Sequence, residues 1–271
     1  MKNKRIISLA VISDVHLGTY GCHAEELLQY LKSIQPETLV LNGDIIDMWN
    51  FSKSYFPSSH MKVLQYILKM SVNGTKIVYI TGNHDETLRK YSDLILGNFE
   101  LADKLILNLD GKKTWIFHGD VFDSSTKGYA KIIAKIGGKA YDWLILMNSL
   151  TNWFLTMIGK EKRSFSKMIK DSVKKAVSFI SNFETTAATI AIEKKYHYVV
   201  CGHIHKPQIK TIENENGSVL YLNSGDWVEN LTALEYNKQQ WSLYKYDKAD
   251  YEQSESEEEK IISNIITKIL S

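Results

Sequence analysis

Five short stretches of the chain carry residues of the types that bind divalent cations. Asp14 and His16 stand in SDVHLG, Asp44 and Asp47 in GDIID, and Asn83, His84 and Asp85 in GNHD. His118 and Asp120 follow in HGD, and His203 and His205 in GHIH. Imidazole nitrogen with carboxylate and amide oxygen suits borderline and hard divalent ions, and the absence of thiolate disfavours a structural zinc site. The pattern fits two ions better than one. D-x-H offers two ligands from one loop, a single Asp at the next strand end can bridge two ions, and paired histidines can face different ions. Two ions ~3.5–4 Å apart clamp a phosphoryl group, acidify a bridging water and stabilise both entering and leaving oxygens. Mn, Fe, Zn and Mg are the metals expected. Each fragment alone is a weak signal; their order along the chain is a strong one.

These residues need a scaffold that brings distant loops together. Arg5 to Ile12 is an apolar run of strand length, followed by the helical period of HAEELLQYLKSIQ and a second strand, ETLVLNGD. HMKVLQYILKMSV then reads as helix and TKIVYITGNHD as strand and loop. Leu105 to Leu109, Thr114 to Phe117, HYVVCGHIH, QIKTI and VLYLNSGDW are further β-type runs. Strands alternating with helices predict an α/β fold in which central β-sheets are flanked by helices. In such folds ligand sites lie beyond the carboxyl ends of the strands, where every one of the five motifs falls. Outside them, His23 and His60 near helix starts and His197 at a strand start suit surface or capping roles. Asp47 suits outer support of a ligand. Asp120 and Asp123 could orient a ligand or touch substrate.

The 271 residues allow one large domain or a domain with an insertion. A composition of 44% hydrophobic and 24% charged residues is that of a globular protein, and a net charge of +2 argues against nucleic acid as the main partner. Two cysteines, Cys22 and Cys201, are too few for a disulfide framework and read as reduced thiols, in keeping with a cytoplasmic protein. The N-terminal apolar run has no secretory-signal pattern. The stretch Trp143 to Ile158 is too short and too interrupted by polar residues to span a membrane.

Residues 1–126 and 197–247 read as the core, 127–196 as a helical insertion, and 248–271 as an acidic linker with a C-terminal amphipathic helix. The insertion joins an apolar, aromatic helix that includes Trp153 and Phe154 to the basic run KEKRSFSKMIKDSVKK. That combination suits ordinary helix packing, and also a lid that covers acyl chains and steadies a pyrophosphate, with Arg163 and Lys167 as candidate substrate contacts. A basic amphipathic helix can also rest on an anionic membrane surface. In the tail, Ile261, Ile262, Ile265, Ile266, Ile269 and Leu270 form one apolar stripe suited to packing on the body or on a second subunit.

D-x-H, G-D-x-x-D, G-N-H-D, H-G-D and G-H-x-H together resemble the calcineurin-like metallophosphoesterases, over Asp14 to His205. The resemblance implies that Asp14, His16, Asp44 and His205 hold one ion, and Asp44, Asn83, His118 and His203 the other. It implies His84 as the catalytic histidine with Asp85 orienting its ring, and Asn83 within reach of the phosphoryl group. DVHLG, GDIIDMW, the helical insertion between HGD and GHIH, HKP and NSGDWVE further resemble the UDP-2,3-diacylglucosamine pyrophosphatases of lipid A biosynthesis. That branch implies attack of metal-activated water on the α-phosphorus to give UMP and 2,3-diacylglucosamine 1-phosphate, Mn as the usual metal, and peripheral contact with the inner face of the cell membrane. One residue departs from it: the branch carries Arg where this chain has His84. A phosphomonoester anion leaves without much protonation, whereas His keeps an acid available for alkoxide leaving groups. A phosphodiesterase or phosphatase for a soluble nucleotide or nucleic-acid end is therefore the alternative. A metal-binding scaffold without turnover is a third class, and the complete ligand set argues against it.

Overall fold

In the computed structural model residues 4–49, 55–125 and 165–251 are described, with side chains described outside 123–176. The chain divides into two compact units, Met1–Asp120 with Ala188–Ser271, and Val121–Ala187.

The first unit is built on parallel strands. β1 (Arg5–Ile12), α1 (Ala24–Ser33), β2 (Ile34–Asn42), α2 (Ser58–Val72) and β3 (Lys76–Ile80) make two successive βαβ crossovers. β1 pairs with β2 and β2 with β3, both in parallel register. Helix α1 ends earlier than its apolar period suggests, and β2 starts at once with Ile34. Pro36 explains this, because the residue before a proline is pushed out of the helical region. A hairpin with no clear sequence signal, β4 (Ile95–Leu96) and β5 (Phe99–Ala102), extends the sheet beyond β3. Its strands are too short for alternation to show.

β6 (Leu105–Leu109), β7 (Lys112–Ile116), β8 (Tyr198–Cys201), β9 (Gln208–Asn214) and β10 (Gly217–Asn223) form a second sheet in the order β6-β7-β8-β10-β9. β11 (Thr232–Asn237) and β12 (Gln240–Lys245) return to the first sheet, giving the order β12-β11-β1-β2-β3-β5-β4. Between β7 and β8 lies α3 (Phe165–Glu193), inside the segment read as a helical insertion.

Two cores hold the unit together. Leu27, Leu31, Val63 and Ile67 of the helices pack with Ile7, Leu39 and Ile77 on one face of the first sheet. Val11, Val40 and Val78 on its other face meet Ile116, Val200 and Leu222 of the second. A sheet covered on both faces needs apolar residues at successive positions, which is why β1, β2 and β3 read as continuous runs. β7 to β8 and β8 to β10 are parallel as well. The carboxyl ends of β1, β2, β3, β7, β8 and β10 therefore carry, in turn, SDVHLG, GDIID, GNHD, HGD, GHIH and SGDW.

Candidate metal centre

The loops leaving the strands are tied to each other by backbone bonds. Asp14 N–H donates to the Gly43 carbonyl at 3.0 Å, Val15 and His16 N–H both donate to the Asp44 carbonyl at 3.0 Å, and Met48 N–H donates to the His84 carbonyl at 3.0 Å. Asp14, His16, Asp44, His203 and His205 all have positive φ, between 51° and 69°. Side-chain-bearing residues rarely adopt this left-handed conformation, at a cost of order 1–3 kcal/mol each, and such residues cluster at functional sites. Here five of them sit on three loops and point at one place. Gly202 allows a close approach of two loops, because a Cβ there would lie 2.6 Å from Ser13 Oγ and 2.7 Å from Asp14 Oδ2.

The polar side chains gather in groups. Ligand atoms of Asp14, His16 and His205 lie within 4.8 Å of one another, as do those of Asp44, His118 and His203, and those of His16, Asp47 and His84. Asp14 is 0% exposed, and Asp44 and Asp47 are each 2% exposed. Three buried carboxylates this close repel each other and lose hydration, a situation cations relieve. Asn83 Oδ1 is buried without a hydrogen-bond partner, and Asp14 Oδ1 and His118 Nε2, also without a hydrogen bond, each face an ion-pair partner at 3.2 Å, so lone pairs remain at the centre for something else. This donor set, with unused oxygen and nitrogen atoms facing a carboxylate-rich centre, fits divalent cations.

Outer partners fix which atom of each ring faces inward. His118 Nδ1 is hydrogen-bonded to the Asn42 carbonyl at 2.8 Å, so Nδ1 carries the proton and Nε2, 3.2 Å from Asp44 Oδ2, is the inward atom. His16 Nδ1 is bonded to Asp47 Oδ2 at 3.2 Å. The same oxygen lies 3.1 Å from His84 Nδ1. A carboxylate only accepts, so both rings turn Nε2 away from Asp47. His205 Nε2 lies 3.2 Å from Asp14 Oδ1, with Asp226 Oδ2 3.9 Å from its Nδ1.

The charges respond to this packing. Burial alone would lower His205, but Asp14 overrides it and raises the imidazole to about 9. His118 is likewise raised well above its ordinary value by Asp44 against the effect of burial. For Asp44, burial acts upward and His118 brings it down to about 2. His84 is raised, with burial opposed by Asp47 and Asp44.

One expected role is corrected. Asp85 does not orient His84: its carboxylate accepts from Tyr79 Oη at 2.6 Å, Ile45 N–H at 2.9 Å and Gly82 N–H at 2.6 Å. Three donors in a fully buried site turn it toward the strand ends, and Asp47 takes the place beside His84. His60 is a second correction. Rather than facing solvent it is 3% exposed, and its Nδ1 accepts the Gly18 N–H at 2.9 Å, bracing the loop that carries His16. His23 stays at the surface 3.3 Å from Glu26, and His197 Nδ1 accepts the Lys113 N–H. Arg89 Nη2 donates to Asp120 at 2.8 Å, so Asp120 braces the GNHD side of the site. Arg163 lies outside the described residues, as do the side chains of Asp123 and Lys167, the apolar stretch 143–158 and the tail beyond Tyr251.

Sequence reading passed over Asp226. Its Oδ1 accepts the N–H groups of Val228, Glu229 and Asn230, while Asn230 Nδ2 bonds Asp226 Oδ2 and the His205 carbonyl. The Gly225-Asp226 pair repeats the Gly43-Asp44 pattern at another strand end, which was the signal available.

Residues 7–207 match the model of the calcineurin-like phosphoesterases, most of the chain and all five motifs. The chain belongs to this family. It is a metal-dependent phosphoester hydrolase of α/β fold. Curated relatives are named UDP-2,3-diacylglucosamine hydrolase. The protein from Aliivibrio fischeri is 24% identical over 88% of this chain and 98% of its own length. That from Neisseria gonorrhoeae is 29% identical over 82% and 91%. Among solved structures, an archaeal phosphodiesterase is 15% identical with a TM-score of 0.41, covering 88% of this chain and 98% of its own. A dimetal phosphatase from Danio rerio is 11% identical with a TM-score of 0.41, covering 89% and 96%.

Proposed function

We propose that this phosphoesterase hydrolyses the pyrophosphate of UDP-2,3-diacylglucosamine, giving UMP and 2,3-diacylglucosamine 1-phosphate for lipid A biosynthesis. The observation that carries the chemistry is the pair of adjacent ligand groups, Asp14/His16/His205 and Asp44/His118/His203, on converging strand ends. The choice of substrate is supported by relatives that bear this activity in their name along nearly their whole length.

Two divalent ions, with Mn the expected metal, supply an acidified water and neutralise phosphoryl charge when bound. Asp14, His16 and His205 would hold one, and Asn83, His118 and His203 the other, with Asp44 between them as the shared carboxylate. His84 presents Nε2 to the phosphoryl group because Asp47 occupies Nδ1. From there it hydrogen-bonds a non-bridging oxygen, or gives its proton to the oxygen that leaves when the bond to the α-phosphorus breaks. Asp85, held by Tyr79, Ile45 and Gly82, keeps the GNHD turn in register with Asp44, whose Oδ1 accepts the His84 N–H at 2.8 Å.

Segment 127–196 is proposed as the substrate-selecting cap, from its apolar helix followed by basic residues including Arg163 and Lys167. Its basic run also supports peripheral contact with the inner membrane surface. Among the described residues no helix is long and apolar enough to cross a membrane.

His84 favours one second reading, a phosphodiesterase with an alkoxide leaving group. Side-by-side assays of the Mn-loaded protein on UDP-2,3-diacylglucosamine and bis-p-nitrophenyl phosphate separate the two. Rapid UMP release with slow nitrophenol release is expected; nitrophenol without UMP would remove the lipid substrate and keep the phosphodiesterase.

A further inference from the structure

The residue after Met48 in the GDIID loop is a tryptophan that no part of the metal centre uses. Trp49 N–H donates to Asp47 Oδ1 at 3.1 Å, and the neighbouring Met48 N–H is bonded to the His84 carbonyl. Two backbone bonds thus fix the Trp49 main chain relative to the loop that carries His84. Its ring centroid lies 4.5 Å from that of His84, inclined by 34°. With this contact made, Trp49 is still 51% exposed. One face is therefore backed by the His84 imidazole and much of the ring remains open to solvent. A large aromatic lying against the ring of His84 presents a flat, apolar surface beside that histidine.

We infer that Trp49 is a stacking platform for the nucleobase of the substrate, extending the His84–Trp49 stack by a third ring. The inference rests on the reading of the substrate as a nucleoside diphosphate ester. An aromatic face takes any base because every base has a π-face, and offset stacking tolerates the tilt seen between Trp49 and His84. Placed this way, the base would set the nucleotide half of the substrate on the Trp49 side of His84 and send the leaving half the other way. Trp49 would be a specificity-determining residue: it would act on which phosphoester binds, while the ligands and His84 act on how it is cleaved.

The test is calorimetric titration of UMP, of ribose 5-phosphate, which differs by lacking the base, and of decyl phosphate into metal-loaded wild type, Trp49→Phe and Trp49→Ala. Stacking of one base predicts that wild type binds UMP about ten- to a hundredfold more tightly than ribose 5-phosphate. Phe should keep most of that ratio, and Ala should bring it to within about threefold. Equal weakening of both ligands in Trp49→Ala would overturn the inference and make Trp49 a support for His84. No base preference in wild type would also overturn it. So would a Trp49→Ala defect confined to decyl phosphate, which would assign the indole to an alkyl chain. Turnover of UDP-2,3-diacylglucosamine in the same preparations keeps the two ideas apart. Base preference without turnover leaves the platform and removes the lipid substrate, and turnover without base preference does the reverse.

Discussion

Asp47 Oδ2 touches two rings, His16 and His84, and this sharing has consequences at the level of single residues. Asp47→Asn keeps the size but offers an N–H where both imidazoles present one. Loss of such an outer carboxylate costs about 10- to 100-fold in metal affinity or activity. We expect that loss in kcat with little change in melting temperature; an unaltered kcat would remove Asp47 from the site. His84→Arg should retain more activity on a pyrophosphate than on an alkyl phosphodiester, because only the second needs a proton on its leaving group. Equal loss on both substrates would show that His84 does not act as the acid. His205 gives a pH signature in metal-free protein. Its folded value of about 9 lies above the ordinary 6.5, so the ion pair with Asp14 stabilises the fold fully below about pH 6.5. That contribution is lost as pH rises through 9, and Mn affinity rises over the same window because the ring must lose its proton to bind. Denaturant titrations and Mn binding at pH 6 and pH 9.5 should change in opposite directions; parallel change would contradict the assigned pairing.

At the scale of elements, the centre depends on loops forced into unusual backbone. The five left-handed residues are Asp or His, types several-fold enriched in that region among non-glycines. Gly202→Ala would push a methyl to 2.6 Å from Ser13 Oγ and 2.7 Å from Asp14 Oδ2. Overpacking of this kind costs typically 1–3 kcal/mol, so a lowered melting temperature with reduced metal uptake is expected. Normal metal content in a stably folded Gly202→Ala would show that the GHIH loop has slack. Most of these elements were legible. β1, β2, β3 and β8 announce themselves as apolar runs ending in Gly or Asp, and the ligand motifs fall where the runs stop. The β4–β5 hairpin was not legible, because Ile95–Leu96 is too short to show a period. Nor was the direction of Asp85: sequence places it beside His84, but Tyr79, six residues before it, captures the carboxylate. Asp226 was passed over although its Gly-Asp pair repeats Gly43-Asp44, since three of its donors are backbone N–H groups that leave no mark on residue type.

Across the whole molecule, the core is assembled from segments more than a hundred residues apart. β1 pairs with β11 and β8 lies between β7 and β10, so the centre forms only when the chain has closed both sheets. Metals that bind the folded state alone should then stabilise it; about 2.7 kcal/mol is expected at a hundredfold excess over Kd. Chelation should lower the melting temperature, and a melting temperature indifferent to EDTA would place the ions outside the folded core. The most direct test of the two-ion centre is to titrate Mn into metal-free protein while measuring bound Mn and phosphodiester turnover together, in wild type and in Asp44→Asn. Two equivalents bound, turnover rising only with the second, and both lost in Asp44→Asn is the predicted result. One equivalent at full activity, or full activity in Asp44→Asn, would contradict it.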